Sequence, residues 1–420
     1  MSFMGQCKQK VTMATDDAGL TKQQLQELLA PALDKEGSRV EDVAVRYLTK
    51  PGDNYGSTML SVDVTLAPGP RTLHLVAKML PKSAVMKEWF KCEVTVRKEM
   101  DLYLLVSPVF ERIQRECHVP KDKFLDVFPV CYAARTSSKG ASAPVDETSI
   151  IVQENLKVQG FECGDRLTGL DLAHCELVVD RLARFHATAV AIKIKRPEEF
   201  KETVLRAATP VAIGPPDMDA MKPLQTLPEY ESMKSRIDTA VSKGVKMYNQ
   251  TNSKQLREPF ATITHLDLWT NNIMFRYEPG SSREKPTSLK LVDFQVTGYD
   301  SPARDLLFFL YSSAKLEVLS GQYDHLVKLY HASFVDCLQI LGCDSTPFSF
   351  EAFLKELEAS ASMVLWQVVF MLIPITTAPE DAVSTDSMSL DDMKSAHKVS
   401  PVFTSRARKI ISDFASRNWI

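Results

Sequence analysis

The chain has 420 residues, 45% hydrophobic and 25% charged, the composition of a globular protein long enough for two or three compact units. A formal net charge of −3 provides no overall pull toward nucleic acid or an anionic membrane. The eight cysteines, at positions 7, 92, 117, 131, 163, 175, 337 and 343, form no C-x-x-C pair, so neither a zinc ribbon nor a disulfide framework is indicated.

Residues 1–10 are polar and basic and lead into no apolar run, so no secretory signal is expected. A helix is expected over 21–33, and a strand over 43–48. In 58–66, Leu60, Val62, Val64 and Leu66 share one face while Met59, Ser61, Asp63 and Thr65 share the other. Residues 72–80 alternate similarly, and Pro68-Gly69-Pro70 between the two runs is a turn signal, so an antiparallel hairpin is expected. The charged, amphipathic stretch 87–106 reads as one helix. Two strands follow, 124–133 and 149–153, around an exposed polar loop at 135–148. At Glu154 the order of elements turns mostly helical, and the boundary between two lobes, 1–154 (with 1–40 as leader and helix) and 155–420, is expected there.

The second lobe opens with a helix capped by Asp171 and running toward Ile194. A Pro-rich stretch, 207–228, precedes a helix ending near Tyr248. Strands at 273–277 and 288–294 flank a turn at 278–286, and Ser301-Pro302 reads as the N-cap and first residue of another helix. The apolar run 363–375 contains Gln367 and Pro374 and is shorter than the roughly 20 residues of a membrane span, so a buried helix is expected. Repeats of 20–50 residues are not visible. These features suit a cytoplasmic protein with neither a membrane nor a nucleic acid as partner.

Residues 263–273 read I-T-H-L-D-L-W-T-N-N-I and contain H-x-D-x-x-x-x-N; a strand, a turn and a second strand then lead to Val292-Asp293-Phe294. Phosphoryl transfer from ATP needs a carboxylate to orient and deprotonate the attacking hydroxyl, with a second carboxylate and an amide to hold Mg²⁺ against the phosphates. Asp267 suits the first role, and Asn272 and Asp293 suit the second, since hard oxygen donors favour Mg²⁺. His265 is expected to orient the loop by hydrogen bonding. On the third strand, Val76-Ala77-Lys78 puts a lysine where it can meet phosphates, with Glu99 as its partner and Glu93 as the alternative. Gly52, Asn54, Gly56 and Ser57 fall between the first two strands, where glycines permit close approach to phosphates. Glu154-Asn155, at the lobe boundary, is where adenine would meet backbone amides. His186 reads as a packed core histidine. Asp305 could brace the catalytic loop or cap its own helix, and Trp269 could line the substrate site or wedge the lobes apart.

Several blocks together resemble the ecdysteroid kinase-like family: Gly52-Asp53-Asn54-Tyr55, Lys98-Glu99 with Tyr103, Asp171-Leu172-Ala173-His174, 265–272, Val292-Asp293-Phe294-Gln295 and 301–307. The resemblance spans about 43–372. That family is similar to choline kinases and aminoglycoside phosphotransferases, which implies an α+β, protein-kinase-like bilobal fold. A small antiparallel sheet with one main helix would bind nucleotide, and a larger helical lobe would carry catalysis and substrate. The implied activity is Mg·ATP-dependent phosphorylation of an alcohol, on an ecdysteroid or another hydroxylated apolar compound. Trp269, Met363, Trp366, Phe370 and Met371 are expected to line an apolar acceptor pocket. A choline-like or aminoglycoside-like kinase is the alternative, with the acidic run Glu380, Asp381, Asp386, Asp391 and Asp392 folded over the cleft; as a plain reading that run is a solvated loop. The family motif usually reads H-G-D, and Leu266 replaces the glycine. Leucine resists a positive φ, so a shifted loop and reduced turnover are expected, and a pseudokinase is the further alternative.

Overall fold

The computed structural model describes residues 20–48, 56–69, 71–213, 219–250, 257–280, 283–378 and 399–420. Thr21 begins the first helix, α1 (Lys22–Leu33), with a capping box: its hydroxyl accepts from Gln24 N–H, and the Gln24 side chain accepts from Thr21 N–H. Leu25, Leu29 and Leu33 form its buried face. That face packs on a five-stranded antiparallel sheet of β1 (Arg39–Tyr47), β2 (Thr58–Ala67), β3 (Arg71–Met79), β4 (Cys131–Arg135) and β5 (Ile150–Glu154), in the order β1-β2-β3-β5-β4. The predicted hairpin is present. Leu60 pairs with Ala77, Val62 with Leu75 and Val64 with Leu73, so the two period-two faces coincide and close a small core under α1.

The helix expected over 87–106 is two helices and a bridge. Ser83 caps α2 (Ala84–Trp89), Lys91 turns left-handed at φ 50°, and α3 (Cys92–Asp101) follows. Helical winding then continues beyond Val106 through a widened turn, Leu102–Val106, into α4 (Ser107–Glu116). Pro108 follows the widened turn within this continuous winding; it has no N–H to give to the preceding turn, and the wider hydrogen-bond spacing there, with Ser107 N–H donating to Leu102 O, accommodates its ring. The strand expected over 124–133 forms only from Cys131. Before it, Leu125, Val127 and Phe128 are buried in the main core, so their apolar pattern marks burial rather than strand pairing. Pro129, lacking an N–H, cannot extend the ladder toward them.

Beyond β5 the chain is chiefly helical. β6 (Glu162–Cys163) leads to α5 (Leu172–Lys195), whose N-cap Asp171 accepts from His174 N–H at 3.1 Å, and then to α6 (Pro197–Phe200) and α7 (Pro228–Asn249). Four short strands follow: β7 (Thr262–Thr264), β8 (Ile273–Arg276), β9 (Ser288–Leu291) and β10 (Gly298–Asp300). They form a sheet β6-β8-β9 and a pair β10-β7. The rest is α8 (Pro302–Ser313), α9 (Leu316–Ile340), α10 (Phe350–Thr376) and α11 (Pro401–Ser416). Every residue of α8 is buried, with α5 and α10 among its neighbours. Helix α10 contains 363–375. By length and composition it could cross a membrane, but most of its apolar window is buried, as in a core helix.

Candidate active site

The site forms where three connections meet. β7 pairs with β10, Thr264 opposite Gly298, and the chain then leaves β7 as the loop that contains His265 and Asp267. A single tight turn, Thr270–Asn272, leads into β8. The β8–β9 hairpin returns Val292 beside Asn272, whose carbonyl accepts from Val292 N–H at 3.0 Å. Asp293 follows at φ 65°, a left-handed residue in the turn.

Lys78 reaches this point from the sheet. Its Nζ lies 2.6 Å from Glu99 Oε2 on α3 and 2.7 Å from Asp293 Oδ1. Burial acts to lower the lysine's pKa, but Asp293 and then Glu99 outweigh it, so the ammonium is held above its ordinary value and stays charged. Glu99 is fully buried and also accepts from Phe294 N–H; burial raises its carboxyl, with Lys78 opposing. Glu93 is exposed, so Glu99 rather than Glu93 is the partner that α3 provides. The rings of Tyr103, Phe294 and His265 are in series, edge-to-face at a centroid distance of 5.9 Å and then tilted at 4.6 Å, and link the end of α3 to the loop that contains Asp267.

Asp267 is half-buried. Burial, and then the Asp293 carboxylate, push its pKa well above the ordinary carboxylate range, while a hydrogen bond from Asn272 opposes. Asn272 Nδ2 donates to Asp267 O at 2.8 Å and to Asp267 Oδ2 at 3.1 Å, leaving Oδ1 as the atom that could face a cation. His265 is fully buried, and burial lowers its pKa. Its Nε2 donates to Val292 O at 3.0 Å and its Nδ1 accepts from Asp267 N–H at 3.3 Å, so the ring is a brace. Asp305 settles the choice left open for it: its carboxylate accepts from His265 N–H at 2.6 Å and Leu266 N–H at 2.8 Å. His186 Nε2 meets the same carboxylate at 3.1 Å, and its Nδ1 meets Tyr330 Oη at 2.7 Å, so this core histidine supports the brace.

Leu266 departs from its expectation. It adopts φ 62°, the conformation glycine was expected to be needed for, and the loop is not displaced from Asp305. Gly52 and Asn54 lie outside the described residues. Gly56 is buried so close to Gln295 that a Cβ would stand 2.7 Å from Nε2, and Ser57 Oγ approaches Met59 Sδ at 3.7 Å. The Glu154 carboxylate accepts from Val130 N–H at 2.9 Å, its own N–H donates to Val130 O, and Asn155 N–H donates to His74 O. Those two amides are therefore occupied within the protein. A small apolar cluster of Leu156, Phe161 and Met274, with Val292 against it, lies just beyond and apart from both cores; it had no distinguishing sequence signal. Trp269, Met363 and Trp366 are buried, whereas Phe370 and Met371 are half-exposed. The acidic run 380–392 lies outside the described residues. Gln367 and Gly298, both in contact with Leu266, were not singled out by sequence, since they lie 101 and 32 positions along the chain.

The model of the ecdysteroid kinase-like family matches residues 51–343. The chain belongs to that family. Its fold is α+β, with an antiparallel sheet followed by a chiefly helical remainder, and membership of the ecdysteroid kinase-like family makes it a kinase-like phosphotransferase. Among solved structures, it is similar to a spectinomycin phosphotransferase in complex with ADP and spectinomycin (11% identity, 93% of this chain and 98% of that one, TM-score 0.41). An amicoumacin kinase in complex with AMP-PNP, Ca²⁺ and Ami is 15% identical over 88% of each chain, with a TM-score of 0.40. A Plasmodium vivax ethanolamine kinase is 9% identical over 90% of this chain and 84% of its own, with a TM-score of 0.35. No curated protein sequence matches the chain.

Proposed function

We propose that this ecdysteroid kinase-like protein transfers the γ-phosphoryl group of ATP to the hydroxyl of a small apolar molecule, an ecdysteroid or a comparable hydroxylated compound. The observation that carries the reading is the convergence of Lys78, Glu99 and Asp293 within 2.7 Å of one ammonium, next to the Asp267–Asn272 pair. Lys78 would hold the α- and β-phosphates, with Glu99 keeping it in place. Asp267 would orient the acceptor hydroxyl and take its proton, and Asn272 Nδ2 holds its carboxylate at Oδ2 for that task.

The donor set fits Mg²⁺. Asp293 and Asn272 Oδ1 are hard oxygen donors, and among the described residues no group of three or more His, Cys, Asp or Glu forms a metal cage of its own. Such a site suits a cation that takes its other ligands from phosphates and water. When bound, Mg²⁺ would neutralise charge on the transferred phosphoryl group. Gly56 and Ser57, with Gly52 and Asn54, would approach the phosphates, and Leu156, Phe161, Met274 and Val292 would offer the nucleobase an apolar surface. Residues 1–154 would then act as the nucleotide-binding lobe and 155–420 as the catalytic and substrate lobe. The described cysteines are all free thiols, which suits a cytoplasmic location.

An apolar acceptor is favoured by α10. From Ser360 onward its half-exposed residues, Gln367, Phe370, Met371 and Pro374, recur at helical spacing and form a stripe. Gln367 at one end donates to Leu266 O, and Arg166 donates to Pro374 O at the other, so the stripe borders the catalytic loop. The test is incubation with Mg·ATP and a panel of steroid, phenolic, aminoglycoside and choline alcohols, read by mass spectrometry for an added phosphate. Phosphorylation confined to the cationic alcohols would refute the apolar reading. No transfer to any of them, together with no Mg·ATP binding, would refute the kinase reading.

A further inference from the structure

Leu266 stands in the left-handed region, where a Cβ is penalised, and each of its groups is held by a different element. Its N–H donates to Asp305 Oδ1 on α8 at 2.8 Å. Its carbonyl accepts from Gln367 Nε2 on α10. Its side chain lies over Gly298 of β10, where an added Cβ would stand 2.6 Å from Leu266 Cδ1. Gly298 is not among the positive-φ glycines, so what it provides is room for a terminal methyl of Leu266, which an added Cβ would push aside, rather than conformational freedom. Gln367 is itself fixed: Oε1 accepts from Arg304 Nη2 at 3.0 Å, and Arg304 is paired with Asp300 of β10. One strand and two helices thus converge on the residue before Asp267.

We propose that Gly298 and Gln367 are positioning residues for the Asp267 carboxylate, and that they allow leucine to occupy a place where the loop requires left-handed backbone. The inference rests on the reading of Asp267 as the base. Neither residue touches the reacting groups; both act through Leu266. If Leu266 relaxed to a negative φ, the peptide joining it to Asp267 would rotate. The bond from Asp267 N–H to His265 Nδ1 and the two from Asn272 to Asp267 would then be lost together.

The test is a pair of double-mutant cycles in the full chain. Gly298→Ala should lower kcat about tenfold or more, with KM for ATP within about twofold. In a Leu266→Gly background the same change should cost less than about twofold, because the clashing side chain is gone. Gln367→Leu should likewise cost about fivefold with leucine at 266 and under about twofold with glycine. Equal effects in both backgrounds would overturn the proposal. Thermal unfolding without substrates repeats the cycles independently of activity: a larger loss of Tm from Gly298→Ala with leucine than with glycine supports the clamp, and an equal loss overturns it. A wild-type chain that phosphorylates nothing would defeat the proposed activity, while the thermal cycle would still decide the clamp.

Discussion

Lys78 and Lys98 are both buried, and they differ in what surrounds them. Lys78 has two carboxylates within 2.7 Å, whereas Lys98, 3% exposed on α3, has no hydrogen-bond partner for its Nζ among the described residues. Burial therefore lowers the Lys98 pKa from 10.5 to about 7. Its unfolded form keeps the proton up to about 10.5 and its folded form only below about 7, so between these values the unfolded state binds more protons and stability rises with pH. Below about 7 the penalty is complete. Lys98→Met should add roughly 3–5 kcal/mol at neutral pH in urea unfolding, and should flatten the rise of the wild-type midpoint from neutral to alkaline pH. A variant no more stable than wild type would mean that the amine has a partner in solution. The two aspartates separate by role. Asp267→Asn should keep Mg·ATP binding and reduce kcat by about two to four orders of magnitude. Asp293→Ala should lose the Mg²⁺-dependent part of nucleotide binding, read by calorimetry; undiminished binding would contradict the ligand assignment.

At the scale of elements, Asp305 shows how far sequence could lead. Its place in the first turn of α8 is compatible with capping, and only the fold shows its carboxylate turned toward His265 and Leu266 and supported by His186 of α5. Asp305→Ala would leave a buried amide, a part-buried amide and a buried imidazole without their acceptor. The expected cost is about 2–4 kcal/mol, with kcat lost as well; a loss of stability below about 0.5 kcal/mol would show that the brace is replaced by water. The β2–β3 hairpin and the H-x-D-x-x-x-x-N loop could be read beforehand because their patterns are local: alternation in one, fixed spacing in the other. The expected helix over 87–106 failed at both ends for reasons that are not local. Lys91 accepts left-handed backbone at a junction, and Pro108 is accommodated by the widened turn that precedes it, so the winding does not stop at Val106. β7 and β10, three residues each, pair across 34 positions and are too short for any periodic signal. Gln367 was invisible for the same reason, since its partner Leu266 lies 101 positions away.

Across the whole molecule, the small core under α1 and the large helical core are separate, and the candidate active site lies between the elements that each one stabilises. Lys78 belongs to the sheet above the small core, while Asp267 and Asn272 belong to the loop on the large one. The acceptor, in the proposed reading, sits against α10 on the helical side. The first third of that helix faces solvent at Glu351, Leu354, Lys355 and Glu358, but from Ser360 onward it is buried except for this half-exposed stripe, whose apolar members would be covered by an acceptor. Phe370 is the largest apolar residue of the stripe and stacks on Trp366, with centroids 5.9 Å apart and planes inclined by 19°, which keeps the ring rigid. A ring that an apolar acceptor covers is worth about 1.5–3 kcal/mol, whereas a hydrated polycation would gain little from it. Phe370→Ala should therefore raise KM for a steroid-like acceptor about tenfold or more, with KM for ATP within about twofold because the nucleotide is held from the sheet side. Steady-state kinetics with each substrate varied in turn distinguishes the outcomes. An unchanged acceptor KM would remove α10 from the acceptor site, and a fall in kcat with both KM values unchanged would mean that the substitution has loosened the loop through Gln367 rather than removed a wall.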